Sequence, residues 1–153
     1  MANTFHLAIP AGDLTVAIDF YCNKLGCTRG NSEFKYPDAW VDINFWGNEL
    51  TLHATEPGKR NQGERHNVDM GNVSVPHFGV HLDAGQFANL KHRLAEHGVE
   101  YLDPPYVRFA GTELEQETMF IEDTNGNCME IKTMVNPEIL FKVVDGCQSA
   151  ANA

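Results

Sequence analysis

The chain has 153 residues, of which 42% are apolar and 21% are charged, and its formal net charge is −10. This length suits one domain with a substantial core, and the acidic excess argues against nucleic acid or an anionic membrane as the main partner. With no signal-peptide features, no apolar run long enough for a membrane span and no CxxC pair, the sequence predicts a cytoplasmic protein with reduced thiols.

The first half of the chain, residues 4–56, is predicted to open with a strand and a helix. Residues 5–9 alternate in polarity, which places His6 on the face opposite the larger aliphatic side chains. Asp13 is a suitable N-cap for the helix that follows, and Gly26 is suited to end that helix. Further strands are predicted around residues 33–36, 40–46 and 50–55.

Residues 57–72 have a long polar stretch and are predicted to form a solvated linker. Residues 73–135 then repeat the order of the first half, and residues 136–153 form a C-terminal tail. A turn is predicted over residues 123–127, with Gly126 at positive φ. The predicted elements of the second half are a strand at 75–82, a helix, and strands near 100–102, 107–109, 117–121 and 128–134.

Two stretches of the chain begin alike, and each opens on a histidine. His6 and His77 each start an alternating strand that is followed by an Ala-Gly pair. Later in each half, a Gly-Asn pair leads into another alternating strand, which carries His53 in the first half and Glu130 in the second. A chain that repeats one unit can bring equivalent positions together.

The alternation of these strands collects polar side chains on one inward face. That face is predicted to hold His6, Asp42, Asn44, Thr51, His53, His77, His81 and Glu130. Two imidazoles and one carboxylate are good ligands for Fe²⁺, Mn²⁺, Zn²⁺ or Ni²⁺, and three ligands leave open positions for a substrate. A single inward histidine is more often a hydrogen-bonded pocket residue, which is the interpretation favoured for His81, whereas the matched positions of His6, His77 and Glu130 favour a metal site.

Several of these motifs together resemble the vicinal oxygen chelate superfamily, which includes glyoxalase I, extradiol dioxygenases, fosfomycin-resistance enzymes and bleomycin-binding proteins. The motifs are His6–Ile9, Phe20-Tyr21, Leu25-Gly26, Pro76–Val80 and Glu122–Ile131. The resemblance covers the chain from Phe5 to about Met134. It implies a single glyoxalase-like domain of the α+β class, built from two tandem βαβββ modules whose sheets curl around one divalent metal ion per chain. It also implies a homodimer.

The resemblance assigns the metal ligands to the first strand of each module and to the last strand of the second, which gives His6, His77 and Glu130. The corresponding position in the first module is Thr51, where glyoxalase I has a carboxylate or amide. His53 is either a fourth ligand or an acid/base group. A three-ligand set resembles the extradiol dioxygenases and favours Fe²⁺, whereas a set that includes His53 resembles isomerase or hydrolytic sites, with Zn²⁺, Ni²⁺ or Mn²⁺ as alternatives.

The function that this resemblance implies is a metal-dependent enzyme, most similar to an extradiol dioxygenase, whose small substrate is chelated through neighbouring oxygens. The alternatives are a glyoxalase-like lyase or isomerase and a non-catalytic protein of the bleomycin-resistance type. His53 or His81 could move a proton. Arg108 is either an anchor for a substrate anion or a surface arginine paired with an acid. Asp42, Asn44 and Thr51 are candidate pocket residues.

Overall fold

The computed structural model describes residues 3–35, 37–57, 63–68 and 71–144 of the chain. These residues divide into two compact units. Unit one contains the described residues up to position 62, together with Arg93–Val99 and Glu122–Asn127. Unit two contains the described residues of Gly63–His92 and Glu100–Ile121, and those from Cys128 onward. No helix in the described ranges is long and apolar enough to cross a membrane.

Unit one is built around a four-stranded sheet in the order β1-β4-β3-β2, in which β1 runs parallel to β4 and the other pairs are antiparallel. Asp13 caps its first helix, because Asp13 Oδ1 accepts hydrogen bonds from the backbone N–H groups of Thr15 and Val16. The elements are β1 (His6–Gly12), α1 (Leu14–Ile18) with a π-helical continuation over Asp19–Lys24, β2 (Thr28–Glu33), β3 (Trp40–Phe45) and β4 (Asn48–Ala54).

Unit two contains a sheet of the same design, in the order β7-β10-β9-β8 with β7 parallel to β10, and a small antiparallel sheet of β5 and β6. The α+β class and the repeated βαβββ order are therefore confirmed. The elements in chain order are β5 (Glu64–Val68), β6 (Gly71–Val75), β7 (Phe78–His81), α2 (Ala84–Glu96), β8 (Asp103–Arg108), β9 (Gln116–Glu122), β10 (Cys128–Met134) and a 3₁₀ turn (Pro137–Ile139). The last turn of α2 and the end of β9 belong to unit one.

Some strands differ from the sequence prediction. The strand expected at 75–82 is split at Pro76, and one strand, β8, stands in place of the two short strands expected at 100–102 and 107–109. β8 contains Pro104 and Pro105, which it tolerates because it lies at the edge of its sheet, where a missing N–H need not break a ladder. The strand expected at 33–36 begins earlier, as β2. Within the segment expected as a linker, β5 pairs with β6.

A buried hydrogen-bonded hub centred on Asp123 completes unit one. Its Oδ1 accepts from the backbone N–H groups of Asn125 and Asn127, and its Oδ2 accepts from the Tyr21 hydroxyl at 2.8 Å and the Asn127 amide at 2.8 Å. The side-chain amides of both asparagines also donate to the Pro10 carbonyl oxygen. Burial, followed by the neighbouring Asp123 carboxylate, raises the pKa of Tyr21, so its hydroxyl stays a donor. The predicted turn is confirmed, with Gly126 at φ 79°.

Residues near the end of α2 contribute to the same unit. Arg93 donates from Nη2 to the Asn23 carbonyl oxygen at 2.6 Å and from Nε to the Lys24 carbonyl oxygen at 3.3 Å. These carbonyls lie at the C-terminal end of the first helical segment, where backbone acceptors lack helical partners. The guanidinium group therefore satisfies acceptors that the helix itself leaves open.

Gly79 allows β7 and β10 of unit two to approach each other closely. A Cβ atom built on Gly79 would lie 1.6 Å from the carbonyl oxygen of Glu130, with which Gly79 is in register. Only glycine fits such an approach. The contact brings the Glu130 side chain next to the residues that begin β7.

Candidate functional site

His77, immediately before β7, is held in one defined orientation. Its Nδ1 lies 2.7 Å from the Ser74 carbonyl oxygen, which can only accept, so Nδ1 carries a proton and donates. The ring of Phe120 packs edge-on against the imidazole, with centroids 5.4 Å apart. The other nitrogen, Nε2, lies 3.1 Å from Glu130 Oε2. A neutral imidazole with a proton on Nδ1 presents a lone pair at Nε2.

The contact between His77 and Glu130 sets an imidazole nitrogen opposite a carboxylate oxygen. In the neutral imidazole, the Nε2 lone pair and the carboxylate oxygen are both electron-pair donors, so the contact requires either a proton between them, as in an imidazolium–carboxylate pair, or a cation that binds both atoms. A histidine that ligates a metal through one nitrogen almost always donates from the other to a carbonyl or carboxylate. The Ser74 carbonyl provides that acceptor, so the orientation of His77 fits a divalent ion at Nε2.

The Glu130 carboxylate is nearly buried, with 8% of its side chain exposed, and its two oxygens have different surroundings. Oε1 accepts a hydrogen bond from Thr118 Oγ1 at 2.9 Å and lies 3.3 Å from Lys132 Nζ and 3.9 Å from Arg108 Nη1. Oε2 faces His77. Two cations therefore balance the charge of the carboxylate from one side, while the other side is directed toward the imidazole.

A cavity of about 210 Å³ opens beside this pair. Its lining includes His77, His81, Glu130 and Lys132. Burial lowers the pKa of His81, the Lys132 ammonium lowers it further, and the Glu130 carboxylate opposes the shift. His81 is therefore a neutral imidazole at neutral pH, which can accept a proton from a molecule in the cavity.

The candidate pocket residues of unit one are held by local hydrogen bonds. Thr51 is buried, and its hydroxyl donates to Asp42 Oδ1 at 2.7 Å. Asn44 Oδ1 accepts from the Gly47 N–H at 2.7 Å and so closes the turn between β3 and β4. His53 is exposed and lies beside Pro10 in the register of β1 and β4. Asp42 and Asn44 line a separate cavity of about 290 Å³ together with Glu49.

Glu49 is a site residue that the sequence analysis missed. It lies opposite His6 in the register of β1 and β4, and its Oε1 is 2.5 Å from His6 Nδ1, with 57% of the His6 side chain exposed. The alternation of β4 that placed Thr51 and His53 on the inward face places Glu49 there too, so the signal was present in the pattern. His6 thus resembles His77: an acceptor holds its Nδ1, and Nε2 is left for another ligand.

Glu49→Leu is expected to change the tautomer of His6. In the wild type, the carboxylate holds the proton of the neutral imidazole on Nδ1; without it, the proton is expected to distribute over both nitrogens. Long-range ¹⁵N–¹H correlation spectra of the metal-free protein report this directly. Glu113→Leu, which removes an exposed glutamate of unit two, should leave the His6 signals unchanged. An unaltered tautomer in Glu49→Leu would show that Glu49 does not orient His6.

The structure brings two of the three predicted metal ligands together. His77 and Glu130 are in contact within unit two, and His6 belongs to unit one. Within either unit, the described residues include no group of three or more His, Cys, Asp and Glu side chains that could hold a metal ion. The donor types and the orientation of His77 and Glu130 fit a divalent cation, whereas the ammonium group of Lys132 opposes one.

A family model and one solved structure show the family of the chain. A family model described as the Glyoxalase/Bleomycin resistance protein/Dioxygenase superfamily matches residues 4–131. A glyoxalase/bleomycin resistance protein/dioxygenase structure from Alicyclobacillus acidocaldarius is 31% identical, with a TM-score of 0.69 over 91% of this chain and 96% of that chain. The fosfomycin resistance protein FosX from Listeria monocytogenes is 16% identical, with a TM-score of 0.63 over 92% of this chain and 99% of that chain. No curated protein sequence matches the chain.

Proposed function

Because the chain belongs to the Glyoxalase/Bleomycin resistance protein/Dioxygenase superfamily, we propose that it is a divalent-metal-dependent enzyme whose small substrate binds through two neighbouring oxygen atoms. The observation that carries this proposal is the contact between His77 Nε2 and Glu130 Oε2 at 3.1 Å, with the opposite nitrogen of His77 donating to a carbonyl. His6 is the proposed third ligand, and His53 a fourth ligand or an acid/base group.

Two imidazoles and one carboxylate are the ligand set of Fe²⁺ oxygenases, so extradiol-type oxygenation is the reaction class that we favour. A glyoxalase-like lyase or isomerase with Zn²⁺, Ni²⁺ or Mn²⁺ is the alternative within the same site. We also propose that the chain forms a homodimer, since proteins of this superfamily often dimerise, and that it acts in the cytoplasm.

Several residues of the chain would have distinct roles in the proposed site. When bound, the metal ion would supply Lewis-acid stabilisation of charge on the substrate oxygens. His81, neutral and directed into the 210 Å³ cavity, would accept a proton from a substrate hydroxyl at its unprotonated ring nitrogen. Thr118 would fix Glu130 through Oε1, so that Oε2 keeps its orientation. Phe120 would fix the plane of the His77 imidazole.

A second candidate function is a non-catalytic binding protein of the bleomycin-resistance type. One specific observation favours it, because Lys132 and Arg108 already balance the charge of Glu130 without a metal ion. In that case, the cavity beside Glu130 would bind a small molecule by polar contacts alone.

The experiment that separates the two candidates is elemental analysis by inductively coupled plasma mass spectrometry. The wild-type protein, produced without an affinity tag and handled without oxygen, is expected to carry about one divalent ion per folded chain. Iron would direct assays to oxygen uptake with catechol-like substrates, and zinc or nickel to isomerase or lyase assays. A folded wild type that neither carries nor takes up any of these ions would refute the enzyme proposal in favour of the binding protein.

A further inference from the structure

Lys132 lies where it can compete with a metal ion for the same carboxylate. It follows Glu130 by two positions on β10 and so projects from the same face of the strand. Its Nζ is 3.3 Å from Glu130 Oε1, and only 24% of the Lys132 side chain is exposed. The ammonium group is therefore partly shielded from water, where its charge acts more strongly on its neighbours than a surface charge does.

Lys132 also belongs to the wall of the cavity. It lines the 210 Å³ space together with His77 and Glu130, and it is in register with His81 on β7. A cation at Nε2 of His77 and Oε2 of Glu130 would share this small space with the ammonium group. A divalent ion and an ammonium group together carry more positive charge than one carboxylate neutralises, and the excess disfavours the ion on its own.

We propose that Lys132 makes metal binding at this site depend on an anionic ligand, so that the pocket selects substrates that carry a carboxylate or a comparable oxyanion. Without an anion, the ammonium group competes with the metal for the charge of Glu130. With an anion in the cavity, Lys132 and the metal ion both have a counter-charge, and each ligand strengthens the binding of the other. This inference rests on the proposed metal site and assigns its substrate class.

The test is a titration of the metal-free protein with Co²⁺, followed by the visible absorption of the bound ion, with and without glycolate. Glycolate is a small hydroxy acid with two neighbouring oxygens, and its complex with Co²⁺ in solution is included in the fit. In the absence of glycolate, Lys132→Met is expected to bind Co²⁺ at least ~10-fold more tightly than the wild type, because the competing charge is gone. Glycolate should tighten Co²⁺ binding several-fold in the wild type and have a smaller effect in Lys132→Met.

Two further variants separate charge from structure. Lys132→Arg keeps the cation and should bind Co²⁺ as the wild type does. Lys91→Met removes a lysine of the same unit that pairs with Glu117 at 2.9 Å. It should leave the affinity for Co²⁺ unchanged, both with and without glycolate. Circular dichroism confirms that each variant is folded.

Equal Co²⁺ affinity in the wild type and Lys132→Met would overturn the inference and leave the metal site standing. A gain in affinity without any effect of glycolate would overturn the assignment of the substrate class. If neither protein binds Co²⁺, the metal site itself is refuted and the inference falls with it. If Lys132→Met binds Co²⁺ and the wild type does not, the result would support the inference, because it would show that Lys132 prevents Co²⁺ from binding.

Discussion

Glu130→Gln is expected to lower the affinity of the protein for Co²⁺ or Mn²⁺ by at least about 100-fold. The amide keeps the shape of the side chain and can still accept from Thr118, which contacts Glu130 at 2.9 Å. It loses the negative charge, and a neutral amide oxygen is a much weaker partner than a carboxylate for a cation that the nearby Lys132 already repels. Isothermal titration calorimetry on the metal-free variant measures the change.

The matched control is Glu117→Gln, on the neighbouring strand β9. Glu117 pairs with Lys91 at 2.9 Å and is half-buried, so this variant makes the same chemical change in the same unit away from His77. Its metal affinity should equal that of the wild type. Wild-type affinity in Glu130→Gln would show that the carboxylate is not a ligand, even if the protein binds a metal ion elsewhere.

Asp123→Ala is expected to reduce the free energy of unfolding by about 3–5 kcal/mol. The carboxylate accepts four hydrogen bonds, from two backbone N–H groups, the Tyr21 hydroxyl and the Asn127 amide. All of these groups are buried, and alanine would leave their donors without an acceptor in a region that water does not reach. Urea unfolding followed by circular dichroism gives the value.

Two variants calibrate that result. Tyr21→Phe removes one of the four donors together with its hydroxyl and should cost about 1–2 kcal/mol, because no buried donor is left behind. Asp19→Ala removes an exposed carboxylate that accepts a hydrogen bond from the Asn23 side chain, and it should cost under about 0.5 kcal/mol. A loss below about 1 kcal/mol in Asp123→Ala would mean that the hub contributes little to stability.

The sequence predicts the parts of the site that depend on one strand at a time. Alternation along a strand is a local property, so the common face of Glu130 and Lys132 on β10 can be derived without knowing which strands are neighbours. The repeated βαβββ order follows from the same local patterns. His77 and Glu130 come together because β7 and β10 pair in parallel through Gly79.

The parts that the sequence analysis missed depend on register between strands. Glu49 holds His6 only because positions 6 and 49 lie opposite each other, and Thr118 reaches Glu130 across the sheet from β9. Neither pairing can be derived from alternation, which gives the face of a side chain but not its neighbour. The pairing of β5 and β6 was missed for another reason: the first four residues of β5 are all polar, so the strand lacks the apolar period that marks a strand in the sequence.

The Asp123 hub has a consequence for the order in which the chain is made. A ribosome releases residues 10 and 21 about a hundred positions before it releases the turn that their carbonyl and hydroxyl groups require. Until then, the hydroxyl of Tyr21 lacks the Asp123 carboxylate that accepts its hydrogen bond. The carbonyl groups at the end of the first helical segment likewise lack the Arg93 guanidinium that donates to them. The first half of the nascent chain therefore cannot form these hydrogen bonds by itself, and its final packing depends on residues that are synthesised much later.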